Sequence, residues 1–121
     1  MNTEIMEKPI GERVINAIES TTTNFFGPHA WSTILAHIKI SYRIDLKNYK
    51  TVINQPEVLE DVFCELLDSS AKFFFEEINE KLMKVFTVEK PEEFAYSRYG
   101  DFAKLINRIK NMRLIGGRFI G

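Results

Sequence analysis

Trp31, Ile34, Leu35, Ile38 and Tyr42 stand at i, i+3, i+4, i+7 and i+11, so on a helix they fall along one face. This spacing recurs along most of the chain and constrains the fold more than any other feature. Val14, Ile15, Ile18, Thr22, Phe25 and Phe26 repeat it between Gly11 and Phe26. Leu59, Val62, Phe63, Leu66 and Leu67 repeat it after Pro56, and Phe73, Phe74, Ile78, Leu82, Val85 and Phe86 after Ser70. A last set, Phe94, Tyr99, Phe102, Leu105, Ile106 and Ile109, falls between Glu92 and about Met112. No stretch sustains the alternation of a half-buried strand, and no internal repeat is present. The reading is all-α: a small single-domain bundle of about five to six helices over residues 1–112, closed by a short, irregular, basic tail at 113–121.

Breaker residues divide the pattern. Gly27-Pro28 ends the first helix, because glycine supplies a left-handed cap and proline cannot continue the ladder. Asp45 is placed to cap a short helix carrying Leu46, Tyr49, Val52 and Ile53. Gln55-Pro56-Glu57 reads as a helix start, with proline in the first turn and an acid facing the positive end of the dipole. Asp68-Ser69-Ser70 interrupts the next stripe. One bent helix over 57–86 or two helices would satisfy it; two are favoured, because Asp and Ser side chains bond their own backbone. Lys90-Pro91-Glu92-Glu93 repeats the start signal, and Gly100-Asp101 marks a kink or restart. The expected core is Trp31, Ile34, Leu35, Ile38, Leu59, Val62, Phe63, Leu66, Phe74, Ile78 and Leu82.

At 121 residues, 45% apolar and 27% charged, a chain of this kind buries roughly two-thirds of its unfolded surface without disulfides or metal staples. Its one cysteine, Cys64, has no internal partner. No run approaches the roughly 20 apolar residues of a spanning helix, and MNTEIMEKPI lacks a signal-peptide pattern, so a cytoplasmic, reducing location is expected.

The formal net charge of −1 hides a segregation. Residues 54–101 carry twelve acids against five bases, whereas 102–121 carry five bases and no acid. A smaller basic stretch, Lys39, Arg43, Lys47 and Lys50, surrounds Asp45. The plain reading is two solvated faces that balance within the fold or across a dimer; the sharper one is a basic contact surface. The candidate partner-binding residues are Lys104, Arg108, Lys110, Arg113, Arg118 and Phe119, with the acidic helices or a partner chain as their expected contact.

Catalytic patterns are lacking. There is no glycine-rich phosphate loop or dinucleotide fingerprint. His29 and His37, eight apart, make a poor metal pair, and zinc would want more thiols than Cys64 supplies. Cys64 beside Phe63 reads as a packed hydrophobe in an acidic segment that raises its pKa. Glu76-Glu77 and Glu92-Glu93 diverge by about 100° on a helix and read as solvated faces. No catalytic, cofactor-binding or metal-ligating residue is assigned, and no enzymatic activity is expected.

Several segments carry a resemblance to a known family. They are Trp31-Ser-Thr-Ile-Leu-Ala-His-Ile38, Tyr42-Arg-Ile-Asp45, Pro56-Glu-Val-Leu-Glu-Asp-Val-Phe63 with Leu66-Leu67, and the Phe73 to Leu82 helix. In this order they resemble a small helical output-domain family of ammonia-oxidising archaea, the Nitrosopumilus output domain of the fifth type. The similarity spans about residues 10–88 and departs at Asp68-Ser69-Ser70, where that family tends to have glycine. The resemblance implies an archaeal, cytoplasmic, non-enzymatic signalling domain, sometimes attached to two-component receivers and sometimes alone. It carries over no functional residues.

Three functions fit these features. The first is a regulatory or protein-interaction output domain that self-associates. Ten Phe and four Tyr exceed what so small a body easily buries, and the stripe on 70–86 suggests a dimer surface. The second is a nucleic-acid-binding regulator using the basic 102–121 region, disfavoured by the net charge. The third is a small-ligand sensor with a pocket of Trp31, Tyr42, Tyr49, Tyr96 and Tyr99 between helices.

Overall fold

The computed structural model of the protein describes residues 3–88, 101–111, 113–115 and 118–120. Its elements are α1 (Thr3–Phe26), α2 (Ala30–Tyr42), α3 (Tyr49–Asn54), α4 (Pro56–Leu67), a 3-10 turn (Asp68–Ser70), α5 (Ala71–Val85) and α6 (Asp101–Lys110). Two short strands follow, β1 (Arg113–Ile115) and β2 (Arg118–Ile120). The body is all-α, as the periodicity requires. Residues 57–86 form two helices rather than one bent helix, separated at Asp68, whose φ of 50° takes the chain out of the helical ladder.

The helix ends follow from local chemistry. Gly27, at φ +96°, closes α1, and its N–H donates to the Thr23 carbonyl at 2.9 Å. Pro56 occupies the first turn of α4 with Glu57 behind it. The cap of α3 differs from expectation: Asn48, not Asp45, accepts the Lys50 N–H at 3.0 Å. Asp45 instead accepts from Lys47 N at 3.0 Å, which closes a turn upstream of the helix. α1 also begins earlier than Gly11, and Pro9 lies inside it. The expected start at Lys90-Pro91-Glu92-Glu93 lies outside the described residues; α6 begins at Asp101.

α1 packs on α3 and α5, α2 on α1, α4 on α3, α5 and α6, and α6 also reaches α1 and α3. Gly11 permits the α1–α3 approach, because a Cβ there would lie 2.6 Å from Tyr49 Cβ and 3.0 Å from the Tyr49 carbonyl oxygen. The centre is aromatic. Phe63 of α4 stacks on Phe74 of α5, with centroids 5.2 Å apart and planes at 19°. Phe75 meets both edge-on and touches Phe102 of α6 at 5.2 Å. Thr21 and Thr22, both fully buried, donate their hydroxyls to the carbonyls of Ala17 and Ile18 at 2.8 Å, so neither polar group is stranded.

The expected core residues are buried except Ile34, Leu35 and Leu66, which are half-buried against it. The phase of α5 needs correction: Phe75 points inward with Phe74, while Phe73 and Val85 are exposed. The segment after α6, expected as irregular, holds an antiparallel hairpin that pairs Arg113 with Ile120, Leu114 with Phe119 and Ile115 with Arg118. No helix among the described residues is long and apolar enough to cross a membrane.

Candidate interaction surface

Phe25 meets Phe74, Ser20 meets Lys81, and the Arg13–Ala17 turn lies opposite Lys84 and Val85, so α1 and α5 run antiparallel. Along this pair the small side chains of Ala17 and Ser20 leave a groove of about 470 Å³. Arg13, Asn16 and Ser20 form one lip, and Lys81, Lys84 and Val85 the other. Lys81 Nζ donates to Ser20 Oγ across it at 3.1 Å. Three cations line the groove and no carboxylate does.

At the end of the same helix pair, the surface turns aromatic. Phe25 and Phe26 close α1, 42% and 44% exposed, with ring centroids 6.0 Å apart. Both rings also touch buried Phe74, at 6.0 and 6.4 Å. Phe73, in the first turns of α5, is 59% exposed beneath the Lys72 ammonium, which lies 5.7 Å from the ring centroid. Exposed phenylalanines therefore stand at one end of the helix pair whose flank carries the cationic groove.

A second charged surface lies on α4. Glu57, Asp61 and Glu65 are exposed on it at i, i+4 and i+8, Asp68 is exposed in the turn that follows, and residues 56–70 contain no lysine or arginine. The half-buried Cys64 thiol is pushed up to about 11, first by burial and then by the carboxylates of buried Glu60 and of Asp61. That makes Cys64 a poor nucleophile near neutrality, as the acidic segment implies. The Tyr42 hydroxyl is likewise raised, by burial first and then by the neighbouring Glu65 carboxylate.

The residues singled out from sequence are distributed differently. Lys104 and Arg108 are exposed on the outer side of α6, and Lys110 is half-buried. Arg113 and Arg118 enter the hairpin on different strands, with Phe119 beside Arg118 on β2. The side chains of Arg113, Arg118 and Phe119 lie outside the described ones, so their expected contact with the acidic helices does too. The acidic pair Glu76-Glu77 is half-buried rather than fully solvated. His29 and His37 are exposed; His29 precedes α2, where its carbonyl accepts the Ser32 and Thr33 hydroxyls, and His37 lies 6.2 Å from the Tyr42 ring. Among the described residues no group of three or more His, Cys, Asp and Glu is placed to hold a metal ion.

A second, smaller groove of about 300 Å³ runs between α2 and the 45–47 turn, lined by Ser32, Leu35, Ala36, Lys39, Asp45 and Lys47. Neither groove is lined by Trp31, Tyr42 or Tyr49, and Tyr96 and Tyr99 lie outside the described residues.

The sequence reading missed the α1–α5 groove because its cations come from Arg13 and from Lys81 and Lys84, some seventy residues apart. The signal was present in part, since Lys81 and Lys84 lie one turn apart on α5 and Arg13, Ala17 and Ser20 share a face of α1.

The small helical body thus carries separate cationic, aromatic and acidic surfaces. The chain belongs to the Nitrososphaera output domain 2 family, whose model matches residues 10–111. The match runs from α1 through α6, beyond the 10–88 span of the resemblance, and its type is the second of the Nitrososphaera series rather than the fifth. Comparison with curated proteins and with solved structures gives no match.

Proposed function

We propose that this chain is a non-enzymatic regulatory output domain that acts by protein–protein contact and self-associates through its α1–α5 face. The observation that carries the reading is the group of exposed phenylalanines, Phe25, Phe26 and Phe73, at one end of that helix pair. Water-exposed aromatic surface is costly, and an interface that covers it recovers roughly 25 cal/mol per Å² of apolar area. The family assignment supports a regulatory role, because an output domain passes on a signal received elsewhere.

Sedimentation equilibrium from low to high micromolar protein tests this. The wild type should shift toward a dimer with concentration, and Phe73→Ser should shift much less while keeping its helix content. A wild type that stays monomeric throughout removes the proposal. A second reading, nucleic-acid binding, is favoured by Lys104 and Arg108, exposed four residues apart on α6. It expects affinity for a duplex that falls steeply with salt and drops on Lys104→Ala/Arg108→Ala.

A further inference from the structure

The α1–α5 groove and the α4 stripe are of opposite sign and similar length. Along α1 the groove runs from Arg13 to Ser20, seven residues and about 10 Å of helix, and along α4 the stripe runs from Glu57 to Glu65, eight residues and about 12 Å. The groove offers Lys81 and Lys84 on one lip and no acid in its lining; the stripe and the turn after it offer four exposed carboxylates and no base. On α5, half-buried Glu77 stands four residues before Lys81 and exposed Glu80 four residues before Lys84, and neither lines the groove. Among the described residues, none of those four acids of α4 and its turn reaches the groove of its own chain.

We infer that the occupant of the α1–α5 groove is the acidic face of α4 from a second copy of this chain. The inference rests on the proposed self-association and names the surfaces that mate. Each copy carries both halves, so a two-fold pair makes the contact twice, with each groove receiving the partner's stripe. Lys81 and Lys84 meet carboxylates such as Asp61 and Glu57, and the exposed phenylalanines at the groove's end pack beside half-buried Val58 and Cys64 of the stripe. Opposite potentials on the two surfaces fix the register and speed encounter, and both effects weaken as salt shortens the Debye length.

Charge reversal in trans tests it by sedimentation velocity. Lys81→Glu/Lys84→Glu and Glu57→Lys/Asp61→Lys should each be monomeric alone, where the wild type associates. An equimolar mixture of the two should restore a dimer, because one reversed groove then faces one reversed stripe. Circular dichroism melts identify any variant that fails to fold, and Lys84→Gln with Asp61→Asn provides a milder pair that should still weaken association at least tenfold. If the wild type dimerises and both reversed variants dimerise equally well, the pairing is overturned while self-association stands. A monomeric wild type overturns both.

Discussion

Phe25 meets Phe74 edge-on, with ring centroids 6.0 Å apart and planes at 74°, and one ring is 42% exposed while the other is fully buried. Through this pair the surface aromatics connect with the interior, since Phe74 also stacks on Phe63 and touches Phe75, which reaches Phe102. Rings therefore run from the α1–α5 corner across α4 to α6.

Phe74→Ala removes a ring that four other phenylalanines touch, so it should cost about 3–5 kcal/mol in chemical denaturation. Phe73→Ala, one residue away but exposed, should change stability by less than about 0.5 kcal/mol. Equal costs would mean that the phase of α5 is the reverse of the one described. Phe63→Ala should likewise cost more than Leu66→Ala, since Leu66 is only half-buried.

Gly11→Ala places a methyl against Tyr49 Cβ and the Tyr49 carbonyl, both on α3. The favourable helix propensity of alanine, about 1 kcal/mol, is outweighed by the displacement of α3, and a net loss of about 1–2 kcal/mol is expected. A thermal melt that rises on this substitution would show that α3 yields without cost.

Asn79 is 6% exposed on α5, and its Oδ1 lies buried without a hydrogen-bond partner. Removing that stranded acceptor should help more than the lost amide hurts. Asn79→Leu is expected to raise stability by about 1 kcal/mol in urea denaturation, and a loss of that size would contradict the account.

Cys64 should alkylate slowly at neutral pH, and the rate should climb until the pH nears 11. Asp61→Asn should move that rise to lower pH, though burial, the larger cause, keeps it above the ordinary thiol value. The sign for stability follows. The folded thiol holds its proton more tightly than the unfolded one, so this contribution is complete below the unfolded value of 9.0 and is lost as pH rises toward about 11.

Much of the architecture was readable because apolar spacing and breakers are local. The Trp31 to Tyr42 stripe became α2, Pro56 opened α4, and Asp68-Ser69-Ser70 divided α4 from α5. The phase of α5 was less legible, because Phe73, Phe74 and Phe75 are consecutive and the choice between the outer two rests on a distant ring, Phe102. The cap of α3 was misread because Asp45 and Asn48 are both good caps and only the turn between them decides. The candidate surface was hidden for a related reason. Summing charge over residues 54–101 merged the acids of α4 with the lysines of α5, which fold next to Arg13 of α1.

Zero-length carbodiimide coupling in an equimolar mixture of nitrogen-15-labelled and unlabelled chains tests the pairing of surfaces most directly, because only links between copies join the two isotopes. Mixed-isotope peptides that join Lys81 or Lys84 to Glu57, Asp61, Glu65 or Asp68 are the expected result, with a yield that falls as salt is raised. Links between copies that join the α4 acids to Lys104 or Arg113-bearing peptides' neighbour Lys110 instead, or no mixed-isotope peptide at all, would contradict it.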